Sequence, residues 1–238
     1  MADEALTPLF DNPDEQRAYE EFCANQEMGP EPFDLDRPAL VCRWRMAKKH
    51  VPMLNRHIRA LSQRVVQGEP LTHNMLSWAK QHVEWSLAEG SYADPNGVLM
   101  LVIDVNGNAA MTVGGYEPLD ATDASALAVR ARNARVEQEE TGVAPELLVR
   151  VSDGVLYLGA CPQEHLCGSA TLVEQLAQTR GVSCVRALGE ESFDGFVEAT
   201  GACALISDEH GVVCADGQGG SDAELASSFA RDVRKLFS

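Results

Sequence analysis

The side chains with the chemistry for catalysis are sparse and poorly matched to one another. Cys161, His165 and Cys167 bring sulfur and nitrogen donors into one short loop, but no fourth ligand accompanies them, and a closed structural metal site needs four. The seven cysteines are odd in number and none has C-x-x-C spacing, so they read as reduced, mostly buried thiols. Asp104 with Asp120, and Glu139 with Glu140, have the residue types for paired proton transfer but read as surface charge. His57 and His82 lie on helical segments and read as packing or surface histidines. There is no G-x-S-x-G, no Walker lysine and no H-E-x-x-H. Lysine itself is scarce: Lys48, Lys49, Lys80 and Lys235 are the whole supply.

The elements that would position such groups can be read from periodicity. Ala39–Met46 alternates as a strand. Val51, Leu54, Ile58, Leu61 and Val65 form a helical stripe that Gly68 and Pro70 should end. Leu71, Met75, Trp78, Ala79, Val83 and Leu87 form a second stripe, with Thr72 as cap and Gly90 as stop. Val98–Val105 and Ala110–Val113 read as a hairpin around Asn106-Gly107. Gly114-Gly115-Tyr116-Glu117-Pro118 reads as a linker, and Thr122–Glu140 as a helix closed by Gly142. Leu147–Val151 and Val155–Leu158 flank Ser152-Asp153-Gly154, a hairpin signal. Leu166-Cys167-Gly168-Ser169-Ala170-Thr171 leads into a helix whose face carries Leu172, Val173, Leu176 and Ala177. Val182–Ala187 is the next strand, Phe193 and Phe196 mark a short helical piece, and Val197–Ser207 reads as a strand broken at Thr200-Gly201. Ser221 and Glu224 have capping-box spacing at the start of a last helix with Leu225, Phe229, Val233 and Leu236 on its buried face. Trp44, Trp78 and Trp85 read as core or interface aromatics.

This order resembles the class IV aminotransferases, the pyridoxal-phosphate (PLP) enzymes of fold type IV, which include aminodeoxychorismate lyases. The resemblance rests on Asp153-Gly154-Val155-Leu156 for the family's DGVL strand, Gly168-Ser169-Ala170-Thr171 for its L-P-G-I-T-R turn, Leu176-Ala177 through Gly181-Val182, and Thr200-Gly201-Ala202 for its T-G-T-A. His57-Ile58-Arg59-Ala60-Leu61 echoes H-L-x-R-L. It spans roughly residues 50–238 and implies an α/β (α+β), two-domain D-amino-acid-aminotransferase-like fold. The expected division is an acidic arm over 1–38, a small α/β domain over 39–116 and a large one over 117–238. The family's N-terminal strand pair and His-x-x-x-Tyr-Gly segment have no counterpart here.

The resemblance also implies a Schiff-base lysine, which activates PLP and shuttles the proton at the substrate. Its expected place falls near Ala124-Ser125, and no lysine occurs between Lys80 and Lys235. Arginine stays protonated and cannot replace it. Of the phosphate contacts, the arginine slot of H-L-x-R-L is Ala60, with Arg59 one residue early. Gly168, Ser169, Ala170 and Thr171 keep a helix N-terminus suited to an anion, and Thr200 and Gly201 keep the T-G. Glu146 is a remnant of the family's ring-nitrogen carboxylate, out of register. No catalytic residue and no cofactor are therefore expected, with PLP implied only for an active enzyme.

Composition sets the outer limits. The chain has 238 residues, 45% hydrophobic, and a net charge of −17, which argues against nucleic acid. No apolar run is long enough for a membrane span, and the acidic start does not read as a signal peptide, so a cytoplasmic protein is expected. Residues 1–40 hold eleven acids against Arg17 and Arg37, and residues 41–80 hold eight Lys and Arg against Glu69. Three readings stay open: a non-catalytic relative binding a small molecule or partner in the interdomain cleft, an active class IV enzyme, and an acidic protein-interaction module. A homodimer and a small anionic ligand are the expected partners.

Overall fold

The computed structural model describes residues 16, 17, 19, 20, 37–90, 94–189 and 192–238. A three-stranded antiparallel sheet, in the order β1-β4-β5, is built from β1 (Pro38–Arg45), β4 (Val98–Asp104) and β5 (Ala109–Gly114). Two helices accompany it, α1 (Leu54–Leu61) and α2 (His73–Glu89), with a two-residue hairpin, β2 (Val65–Val66) and β3 (Glu69–Pro70), between them. Leu40, Trp44, Leu99, Leu101 and Ile103 from the sheet pack against Met75, Val83 and Leu87 of α2 in one core. The Thr72 hydroxyl caps α2 by accepting from the Met75 N–H at 3.2 Å, as its position predicts.

After the connection from Gly114, α3 (Ala124–Thr141) leads into a five-stranded sheet of order β10-β9-β6-β7-β8. Its strands are β6 (Glu146–Ser152), β7 (Val155–Leu158), β8 (Cys184–Arg186), β9 (Ala202–Ser207) and β10 (Gly211–Cys214). Only the β7–β8 pairing is parallel. The central strands β6 and β9 are mainly apolar, with Arg150 the one charge inside β6, because both faces of the sheet are covered. On one face Val149, Val151, Ala204 and Ile206 meet Val173 of α4 (Gly168–Thr179) and Phe229 and Val233 of α6 (Ser221–Arg234). On the other, Leu148, Cys203 and Leu205 meet Leu127 and Ala131 of α3 and Phe196 of α5 (Phe193–Glu198). No helix among the described residues is long and apolar enough to cross a membrane.

Several boundaries differ from the sequence expectation for identifiable reasons. Helix α1 ends at Leu61, because Gln67 and Gly68 both take positive φ (52° and 81°) and turn Val65–Val66 back on Glu69–Pro70. The β-branched pair therefore leaves the helical stripe. The β9 strand starts only at Ala202, and Val197 lies in α5. Gly201 has φ +124°, and a Cβ there would stand 2.6 Å from the Val151 carbonyl oxygen, so Thr200-Gly201 is a tight backbone approach that starts the strand. The last carbonyls of α5 accept instead from the buried Arg150, at 2.7 Å for Phe196 O and also at Val197 O. The β8 strand is shorter than the Val182–Ala187 run. At α6 the Ser221–Glu224 capping box does not form, since Gly220 is the cap residue and no side chain caps it. Asp222 turns away to accept from the N–H groups of Asp153 and Gly154, bracing the β6–β7 turn. Trp85 is 62% exposed, unlike the buried Trp44. Of the acidic arm, Gln16, Arg17, Tyr19 and Glu20 are helical and the rest of 1–36 lies outside the described residues.

Candidate functional site

A cleft of about 300 Å³ opens between the two cores, lined by β1, α1, α3, the start of α4 and the β9–β10 turn. The turn is the centre of the site. Its sequence, Ser207-Asp208-Glu209-His210, follows the buried run of β9, and the Ser207 hydroxyl accepts from the N–H groups of Glu209 and His210 at 3.2 Å each. That local bonding aims Asp208 at the N-terminus of α4. One carboxylate oxygen accepts from Ser169 N–H at 2.7 Å, and the other from Gly168 N–H at 3.3 Å. No side chain of α4's own cap residue, Cys167, does this job.

The same carboxylate faces His57 of α1, whose Nδ1 lies 3.2 Å from Asp208 Oδ2. His57 is buried and stacks on Trp44, with ring centroids 5.3 Å apart. Burial pushes the Asp208 pKa up, but His57 and the Ser169 N–H outweigh it and hold the carboxyl at about 2. Gly168 is what admits this approach: a Cβ there would come within 2.5 Å of His57 Nδ1. A buried carboxylate thus takes the place at the positive end of the helix where an external anion would bind.

Three further ion pairs line the cleft. Arg43 of β1 holds Glu209 through two bonds, at 2.5 and 2.8 Å, and overcomes the burial that opposes the Glu209 charge. Arg64, buried just after α1, donates to Glu137 at 3.0 Å and to the Thr141 hydroxyl at 3.3 Å, both on α3. Arg130 of α3 holds Glu146 through bonds of 2.9 and 2.7 Å. The His57–Asp208 contact and the Arg43–Glu209 and Arg64–Glu137 ion pairs each join one core to the other and hold the walls of the cleft together. The thiols beside them are inert. Burial pushes Cys42 up to about 11, and burial with the nearby Asp208 charge pushes Cys167 up as well.

The sequence-predicted residues fall around this site unevenly. Gly168 and Ser169 are at its centre, with their N–H groups bonded to Asp208. Ala170 is packed in the core. The Thr171 hydroxyl donates to Gly168 O at 2.7 Å and accepts from Arg56 at 3.3 Å. Arg59 is exposed and donates to Asn55 O, whereas Ala60 lines the cleft. Thr200 and Gly201 sit at the far end of β9, roughly 20 Å along the strand from Asp208. Ala124 opens α3, capped by Asp123, and the cleft-lining residues of that helix, Arg130 to Glu137, come later. No lysine is among the residues that line the cleft. Lys48 and Lys49 reach the carbonyls of Ser238 and Gly90, Lys235 pairs with Asp232, and Lys80 is carried on α2.

Sequence reasoning misses Asp208, Arg64, Arg43, Glu137 and Glu209, and reads His57 as a packing or surface histidine. One signal was available: Arg43 and Arg45 interrupt an otherwise apolar strand. No group of three or more potential metal ligands occurs among the described residues, and Cys161, His165 and Cys167 form no such cluster.

No family model matches the chain, and no curated protein matches it. Solved structures do. A hypothetical aminotransferase from Mycobacterium tuberculosis aligns with a TM-score of 0.57 at 16% identity, over 88% of this chain and 94% of that one. A protein of Legionella pneumophila assigned as 4-amino-4-deoxychorismate lyase gives 0.57 at 11% identity, over 89% and 97%. A protein of Thermotoga maritima assigned as branched-chain amino acid aminotransferase gives 0.55 at 11%, over 88% and 92%. The chain has the fold of the class IV aminotransferases and aminodeoxychorismate lyases, the fold type IV scaffold of PLP enzymes.

Proposed function

We propose that the chain is a non-catalytic member of this fold, holding a small polar molecule or a protein partner in the cleft and performing no transamination. The observation that carries the reading is the Asp208 carboxylate seated on the Gly168 and Ser169 N–H groups. PLP does not fit these residues. Its phosphate would meet a carboxylate held at about pKa 2, and its aldehyde would find no amine among the side chains that line the cleft. Ala60 offers no charge where the family's arginine would stand. The remaining charges, Arg43, Arg64 and Arg130, are matched by Glu209, Glu137 and Glu146, so the cleft offers no surplus positive charge for a cofactor phosphate.

The test is turnover. Purified protein supplied with PLP, a panel of L- and D-amino acids and oxo acids, or aminodeoxychorismate, should give no product above the protein-free control. Product formation that scales with protein and follows it through purification would overturn the reading. The same proposal takes 39–116 and 117–238 as two domains and the protein as a homodimer. Sedimentation velocity should show a dimer at tens of micromolar, about the working range for an interface of standard size. A monomer there would remove that part alone.

A further inference from the structure

A second cavity, of about 670 Å³, lies where the linker, the end of β1 and the C-terminal helix meet. It shares no residue with the cleft, and its size is in the range of small-molecule sites. Two buried polar atoms in its lining make no hydrogen bond, while the other ring nitrogen of His210, Nε2, lies 3.8 Å from Glu209 Oε2. The imidazole of His210 has a side-chain exposure of 6%, and its Nδ1 makes no hydrogen bond. The Nε of Arg45 is likewise buried and makes none. Buried groups of this kind are almost always satisfied, and leaving one unsatisfied costs more than an average hydrogen bond contributes.

Charge and shape narrow what would satisfy them. Arg231 and Arg234, on the last turn of α6, line the cavity with Arg45, and neither makes an ion pair among the described residues. The carboxylate in the lining, Asp216, accepts from the Thr122 hydroxyl at 2.5 Å. Three guanidinium groups therefore face one carboxylate. The walls are also aromatic. The Arg45 guanidinium lies 3.0 Å over the Tyr116 ring and 5.8 Å from that of Phe237, and His210 is 5.7 Å from Tyr116. Burial lowers the His210 pKa, with Glu209 opposing, so its ring is a neutral hydrogen-bonding group and the positive charge belongs to the arginines.

We propose that this cavity binds a small organic anion, a carboxylate or phosphate ester carried on a flat apolar body. The anionic oxygens accept from Arg45 Nε and from His210 Nδ1, which takes up a proton as the anion binds while the Nε2–H stays toward Glu209. Arg231 and Arg234 neutralise the remaining charge, and the body lies against Tyr116 and Phe237. This site stands independently of the reading of the cleft.

Phenyl phosphate, benzoate and inorganic phosphate are the probes, titrated into the full chain by calorimetry and followed by the side-chain nitrogen resonances of His210. One or both aromatic anions should bind and shift Nδ1, and whichever is tighter identifies the headgroup. Inorganic phosphate should be weaker by about tenfold, since it lacks the apolar body. Arg45→Gln should abolish binding. The exposed pair Arg231→Gln with Arg234→Gln, which should not disturb folding, should weaken it about fivefold. Arg132→Gln, a surface arginine paired with Asp194, should leave it unchanged. No binding of either aromatic anion up to about 10 mM would overturn the proposal. So would binding that the paired substitution leaves unchanged, or that is lost with Arg43→Gln in the cleft instead.

Discussion

Replacing Asp208 with asparagine should destabilise the protein by an amount that can be worked from the site. The substitution keeps the shape and one acceptor oxygen, so the Ser169 N–H can still be satisfied, and what is lost is the charge facing His57 and the helix N-terminus. The carboxyl falls from its ordinary 3.8 to about 2 in the fold. Because the folded value is the lower one, the unfolded chain takes up the proton first as pH falls. The stabilisation is complete above the ordinary value and is lost between about pH 4 and pH 2. A shift of that size corresponds to about 2 kcal/mol, or roughly 5 °C in melting temperature for a chain of this length. Urea unfolding of both proteins at pH 5, 4 and 3 measures it. The difference should be largest at pH 5 and shrink steadily with acid. Equal stability at pH 5, or a gap that widens toward pH 3, would refute the placement of this carboxylate.

Other perturbations test the frame around the site. Gly201→Ala puts a side chain at φ +124° and 2.6 Å from a backbone oxygen, and should cost about 2–4 kcal/mol by urea unfolding. Arg64→Met should cost about 1–2 kcal/mol, less than most broken buried pairs, because its partner Glu137 is 38% exposed and can rehydrate. Limited subtilisin digestion should cut first within 114–119 or in the arm before Pro38. First cleavage inside β6 or β9, which are buried along nearly their whole length, would count against the domain division.

The fold was legible because its strongest signals are local. The Asp153-Gly154 hairpin, the stripe of α2 with its Thr72 cap and the run that became α3 all appear close to where periodicity puts them. Where reading failed, a backbone angle or a distant side chain decided the outcome. Nothing in Val65-Val66-Gln67-Gly68 announces that Gln67 will take positive φ and convert the end of a helical stripe into a hairpin. Ser221 and Glu224 have the right spacing, but Gly220 already occupies the cap position and Asp222 is drawn to the β6–β7 turn.

The site was harder still. Asp208 is one acid among thirty-six in the sequence. Its significance comes from β9 delivering it to Gly168 and Ser169, some forty positions away, and to His57, far earlier in the chain. The T-G resemblance points to Thr200-Gly201, at the opposite end of the same strand. What could be read directly was the lysine distribution, since it needs no geometry: with none between Lys80 and Lys235, no register error can supply one near Ala124.

The most direct measurement of the central claim is borohydride trapping. Protein incubated with excess PLP is reduced, digested and mapped for pyridoxyl-lysine, with absorption spectra taken before and after reduction. The account predicts no stoichiometric label and no defined imine band, only thin labelling spread over Lys48, Lys49, Lys80, Lys235 and the terminal amine. One pyridoxyl group per chain on a single lysine, with an imine band that disappears on reduction, would contradict it.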